Sequence, residues 1–138
     1  MKKIIILFTV SLLFVGCAKD FYTNFKSPAE GEEYGSLIVR FSSPIKDVNI
    51  TVNGNLVAED KFTERVQVNN IPVGQHAVNV IASSWELKHD INVKESVDIQ
   101  PNETQTVLVQ IPPKSTGFWI YQAAIYLATF SATYYLVY

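Results

Sequence analysis

The side chains able to do chemistry are few and scattered. There are two histidines, His76 and His89. His76 falls in an alternating run with Val78 and Val80, which makes it a structural residue of a strand. His89 lies between Lys88 and Asp90 and reads as solvated. The two lack the short spacing of a metal-ligand pair. Gly35-Ser36-Leu37 opens a strand and does not form the strand-to-helix elbow that would activate Ser36. Glu30, Glu32 and Glu33 gather where no pocket is expected, so nothing separates their pKa values for acid–base work. Trp85, beside Ser83-Ser84, could stack on a sugar, but covering one end of a small β domain is the simpler role. No enzymatic constellation, cofactor site or metal site is expected.

Cys17 is different. It is the only cysteine, so an intramolecular disulfide is impossible. Lys2 and Lys3 form a positive start, Ile4 to Val15 a short apolar run, and Gly16 a small residue before the cysteine, as in an export signal. Leu13-Phe14-Val15-Gly16-Cys17 resembles the lipobox of bacterial lipoproteins. The resemblance implies a diacylglycerol thioether on Cys17, cleavage before it, and acylation of the new amino terminus. Phe14 stands where the pattern has Leu, which implies slower processing. Ala18 in the next position implies sorting to the outer membrane.

The other end of the chain carries a second apolar segment. From Gly117 to Tyr138 there is no Lys, Arg, Asp, Glu or His. About 20 residues suffice for a membrane-spanning helix. Phe118, Trp119 and Tyr121 at one end, and Tyr134, Tyr135 and Tyr138 at the other, suit two interfacial belts. Pro112-Pro113 prevents helix before the segment. Ala124, Ala128 and Ala132 recur every fourth residue and share one face, where small side chains allow close helix packing. A transmembrane helix is expected here. A buried core helix would need a larger protein around it, and a single strand could not close a barrel.

Between these segments the apolar period is two. Leu37, Val39 and Phe41 alternate, as do Val48, Ile50 and Val52, then Val66 and Val68, and finally Val107, Val109 and Ile111. Asn53-Gly54-Asn55 marks a hairpin, and Pro72-Val73-Gly74 and Pro101-Asn102 mark turns. Six or seven short strands imply a small β-sandwich. "VNITVNGNLV" and "VNNIPVGQHAVNV" resemble PEGA-type domains, small sandwiches of exported proteins, although Pro72-Val73-Gly74-Gln75 replaces the name-giving tetrapeptide. The fold class expected is therefore mainly β: a β-sandwich ectodomain between an N-terminal lipoprotein signal and a C-terminal transmembrane helix. The division is a signal peptide over 1–16, a lipidated Cys and flexible tether over 17–34, the sandwich over 35–112, and the helix over 117–138. The formal charge of −2 and the lack of a basic patch exclude nucleic acid as a partner.

This layout resembles the unimolecular spanins of tailed phages. The resemblance implies a homo-oligomer anchored in the lipids of the host outer and inner membranes, with a periplasmic β domain. It would act after endolysin and holin, and fuse or disrupt the two membranes without a covalent reaction. The competing reading is a bacterial envelope lipoprotein whose PEGA-like domain binds an envelope partner or glycan.

Overall fold

The computed structural model describes residues 19–27 and 29–137. Cys17, Ala18 and the expected signal peptide lie outside the described residues. Among the described residues, six strands precede one helix: β1 (Phe21–Asn24), β2 (Tyr34–Val52), β3 (Asn55–Pro72), β4 (Gly74–Ala82), β5 (Ile91–Ile99), β6 (Thr104–Val109) and α1 (Thr116–Val137).

The organising unit is the long β2–β3 hairpin. Its turn has Asn53 at φ 50° and Gly54 at φ 79°. Two successive positive φ values make the mirror-image turn whose twist matches antiparallel strands, and Asn-Gly is the pair that tolerates it best. Farther along, the pairing jumps from Arg40↔Arg65 to Ile45↔Thr63, so β2 carries extra residues over β3. Further register shifts lie near Asp47, Asp60 and Asn70, each at a φ between 48° and 56°. Short polar side chains tolerate the left-handed region, and bulges of this kind bend and twist a strand.

The bends fold the hairpin over on itself, so each of its strands serves two layers. The first half of β2 pairs with the second half of β3 and, in parallel, with β6. β1 adds in parallel to the outer side of β3. The first layer therefore runs β1-β3-β2-β6. The second half of β2 pairs with the first half of β3 and with β4, which pairs with β5, giving β3-β2-β4-β5. The result is a sandwich-like arrangement of one continuous sheet.

Alternation decides what lies between the layers. Leu37, Val39, Phe41, Val66, Val68, Val107 and Val109 come from the first layer, and Val48, Ile50, Val52, Val78, Val80 and Ile99 from the second. All are buried in one cluster. The sequence periodicity had marked every one of these except Ile99. The stretch expected as a tether contains β1, whose Phe21 packs against the core. Four residues are too few for a visible period; parallel pairing to β3 supplies the backbone partners that make them a strand.

The direction of the strands sets two poles. At one pole lie the start of β2, the Asn53-Gly54 turn, and the β3–β4 and β5–β6 connections. At the other lie the β2 bend over residues 41–47, the β4–β5 loop and the base of α1. Lys19 also lies there, because its carbonyl accepts from Thr63 Oγ1 at 2.8 Å. The chain thus enters the domain and leaves for the helix at the same pole.

The helix corrects the sequence reading. α1 has 22 residues, yet no helix among the described residues is both long and apolar enough to cross a membrane. Counting missing charges overstated its apolar character. Gln122, four Thr or Ser residues after the cap and several tyrosine hydroxyls place polar groups along the segment. The expected transmembrane helix over 117–138 is withdrawn. With it goes the spanin reading, because linking and fusing outer and inner membranes requires a second anchor in a second bilayer. The localisation built on a lipid anchor in one membrane and a single-pass helix in the other falls for the same reason. The placement of both chain exits at one pole is also the wrong geometry for a tie between two separated surfaces.

Candidate functional site

The outer face of the first layer carries an array of hydrogen-bonded polar side chains. Inward-pointing residues alternate with outward ones, so the register alone fixes its members. Asn24, Asn69, Ser36 and Thr104 form one row across the strands. Tyr22, Gln67, Ile38 and Thr106 form the next, and Arg65, Arg40 and Leu108 the third. Rows lie about 7 Å apart along the strands, and neighbouring strands are about 4.8 Å apart.

Hydrogen bonds tie this face together along β3. Ser36 Oγ donates to Asn69 Oδ1 at 3.2 Å, and Gln67 Nε2 donates to the same oxygen at 3.0 Å. Arg65 Nη2 donates to Gln67 Oε1 at 3.0 Å. Arg65 Nη1 lies 3.6 Å from Asp20 Oδ2. The ladder orients each side chain through the next and ends on a guanidinium whose Nε is buried with no partner. An unmade bond at a charged donor is costly, and this one is sealed from solvent within the face.

Arg40 stands directly across from Arg65. Like charges facing each other on adjacent strands destabilise a sheet. Asp20 offsets the Arg65 charge, whereas Arg40 is exposed and has no carboxylate partner among the described residues. Arg40, Arg65, Ile38, Thr106, Asp20 and Glu64 border a shallow cleft of about 420 Å³. On one side Leu108 is 71% exposed beside Arg40, and on the other Tyr22 is 57% exposed beside Gln67. The face therefore offers hydrogen-bonding groups in rows, one cation without an acid, and apolar patches at its margins.

The residues singled out in the sequence lie elsewhere. His76 is buried and structural: Asn53 Oδ1 accepts from the Ala77 N–H at 2.8 Å, which turns Asn53 Nδ2 toward His76 Nδ1 at 2.9 Å. Nδ1 must then accept, so Nε2 carries the hydrogen and donates to the Pro72 carbonyl at 2.8 Å. His89 is exposed. Trp85 packs edge-on to Tyr121 at 5.5 Å and near Phe118 at 6.1 Å, and so braces the base of α1. Ala124, Ala128 and Ala132 are exposed on that helix.

The acidic cluster is not quite as expected. Glu32 and Glu33 border a cleft of about 530 Å³ with Glu103, Asn70 and Asn102. The Tyr34 hydroxyl donates to Glu32, and Lys26 pairs with it at 2.9 Å. Both contacts, Tyr34 first, hold the Glu32 carboxyl below its ordinary range. Its folded-state pKa is depressed, so any contribution to stability is present above the ordinary carboxylate pKa and fades as pH falls through the depressed one. Such a carboxylate stays ionised and suits no general acid. No cluster among the described residues has the makings of a metal site.

Sequence reasoning missed the polar face because its members are ordinary strand residues. Only the register brings Arg40 beside Arg65. No protein-family model matches this chain, and no curated protein matches it.

Proposed function

We propose that the chain is a binding module without catalytic chemistry, tethered through a lipid on Cys17, and that the outer face of the β1-β3-β2-β6 layer recognises its target. The Arg40–Arg65 pair carries this reading. An exposed arginine lacking an acid, Arg40, beside a ladder that holds Arg65 in place, suits a carboxylate acceptor. Rows of hydroxyl and amide groups next to Tyr22, Ile38 and Leu108 suit the mixed polar and apolar faces of sugars. The target class is a carboxylate-bearing sugar polymer of the cell envelope.

Polygalacturonate serves as the probe and neutral dextran as the control. Affinity electrophoresis is expected to retard the protein in polygalacturonate only, with Arg40→Ala binding about tenfold more weakly, as the loss of one charge-assisted contact requires. Equal retardation of wild type and Arg40→Ala, or none in either gel, would overturn the assignment of this face.

The tether has its own check. Growth with a radiolabelled fatty acid is expected to label the wild type and leave Cys17→Ser unlabelled. Equal labelling of both would remove the lipid from the proposal.

A further inference from the structure

We infer that Asn53-Gly54 is a latent site of self-modification, and that His76 is the positioning residue that holds it closed. This inference is independent of the proposed sheet-face function.

Asn53 is the only asparagine in the sequence followed by glycine. In such a pair the next backbone nitrogen can close a ring on the side chain. Gly54 N would give up its proton and bond to Asn53 Cγ. The Cγ–Nδ2 bond would break, and Nδ2 would leave as ammonia with that proton. Water then opens the cyclic imide at either carbonyl, leaving aspartate or an isoaspartyl link at position 53. The isoaspartyl link runs the main chain through Cβ and Cγ and so lengthens it. The turn fixes the register of its hairpin, so this change falls where the β2–β3 pairing is set.

Crowding does not protect the pair. Glycine has no Cβ to hinder ring closure. A Cβ on Gly54 would meet nothing within 4 Å, so that side of the turn is open. Asn53 and Gly54 are both exposed, and water reaches them. What remains is the orientation of the Asn53 amide.

That orientation is held from β4. Asn53 N donates to the Ala77 carbonyl at 2.8 Å, and Asn53 Oδ1 accepts from the Ala77 N–H at 2.8 Å. Backbone and side chain together thus carry the β2–β4 ladder one step past Val52↔Val78. Asn53 Nδ2 donates to His76 Nδ1 at 2.9 Å. With both ends of the amide bound to β4, turning Cγ toward Gly54 N breaks two bonds. The Ala77 N–H can turn to water, because Ala77 is exposed. His76 cannot. It is 7% exposed, its Nε2 donates to the Pro72 carbonyl at 2.8 Å, and Phe25 stands edge-on to its ring at 6.2 Å. Without Asn53, Nδ1 is a buried acceptor with no donor, and that cost opposes the rotation. The turn itself does not call for His76, since Asn-Gly meets its φ requirements alone.

The test incubates the full chain in mildly alkaline buffer and follows Asn53 by peptide mass spectrometry with an isoaspartate assay. Folded wild type is expected to convert at least about tenfold more slowly than the same chain unfolded in urea. His76→Phe is expected to convert about tenfold faster than folded wild type. Val109→Ala, at a buried position near the opposite pole, measures what lost stability alone does and is expected to stay near wild type. Adding Gly54→Ala to His76→Phe is expected to slow conversion again, because a Cβ hinders the attacking nitrogen. Hydrogen exchange in the wild type needs no variant: the Nδ2 proton donated to His76 is expected to exchange several-fold more slowly than the other proton on Nδ2. Equal conversion of folded and unfolded wild type would overturn the inference. So would equal rates for wild type and His76→Phe, Val109→Ala as fast as His76→Phe, no slowing by Gly54→Ala, or equal exchange of the two Nδ2 protons.

Discussion

Phe41→Ala is expected to lower the unfolding free energy of the β domain by about 3–5 kcal/mol. Phe41 is 1% exposed and heads the largest side chains buried in the core. It lies opposite Val109 of β6, just before β2 bends from one layer to the other. It belongs to the one cluster that both layers fill, next to the bend that joins them, so closing on a cavity there would disturb the bend. The loss combines transfer of the ring to water with the cavity left behind. A domain of this size has only about 5–15 kcal/mol in total. Urea unfolding followed by far-ultraviolet circular dichroism measures the effect. A loss below about 1 kcal/mol would mean that the bend repacks freely and that Phe41 does not hold the layers together.

The second large effect is expected at a glycine, and for a reason of space. A Cβ on Gly35 would lie 2.5 Å from the Gln100 carbonyl oxygen, 2.6 Å from Ile99 Cγ2 and 2.9 Å from the Glu103 carbonyl oxygen. Two of these three are backbone atoms of the β5–β6 connection and cannot swing aside. The same connection is stitched to β2 by Ser36 N donating to the Glu103 carbonyl and Asn102 N donating to the Tyr34 carbonyl, both at 2.8 Å. Gly35→Ala must push this connection away and strain those bonds. The expected cost is about 3 kcal/mol, the upper part of the range for overpacking. Gly54 is the control. Its added Cβ would meet nothing within 4 Å, so Gly54→Ala carries only the penalty of its positive φ, roughly 1–2 kcal/mol. Equal midpoints for the two variants in the same urea titration would show that backbone conformation, and not the close approach, decides at Gly35.

Most of the β core was legible because alternation reports burial directly. Leu37, Val39, Phe41, Val48, Ile50 and Val52 all point inward as their spacing requires. What the period does not report is continuity. Leu37 to Phe41 and Val48 to Val52 read as two strands, whereas the molecule has one strand bent at bulges that change the inward phase. β5 was obscured for another reason: Glu95 occupies an inward-phase position among Ile91, Val93, Val97 and Ile99, yet is exposed. In β3, Ala58 and Thr63 are both inward although five residues apart, because the bulge near Asp60 intervenes. The candidate site was least legible of all. It consists of cross-strand neighbours, and register is a property of the fold rather than of any local run. For the terminal helix, the absence of charge was read as membrane affinity, when hydroxyl and amide groups also carry weight.

The shared pole for the two chain exits determines how the molecule bears load. Tension applied between the segment before Lys19 and α1 has a short route. It passes from the Lys19 carbonyl to Thr63, across the Thr63↔Ile45 pairing to the bend of β2, and from Ser42 Oγ to the Ile111 N–H, 3.1 Å away. Pro112 and Pro113 then carry it to the helix base. The Asn53-Gly54 turn, His76 and the β5–β6 connection lie at the far end, off this route. The domain therefore hangs from its two attachments as a pendant rather than serving as a link in series. A pull that strips β1 or frays the helix base would leave the rest of the sandwich unloaded.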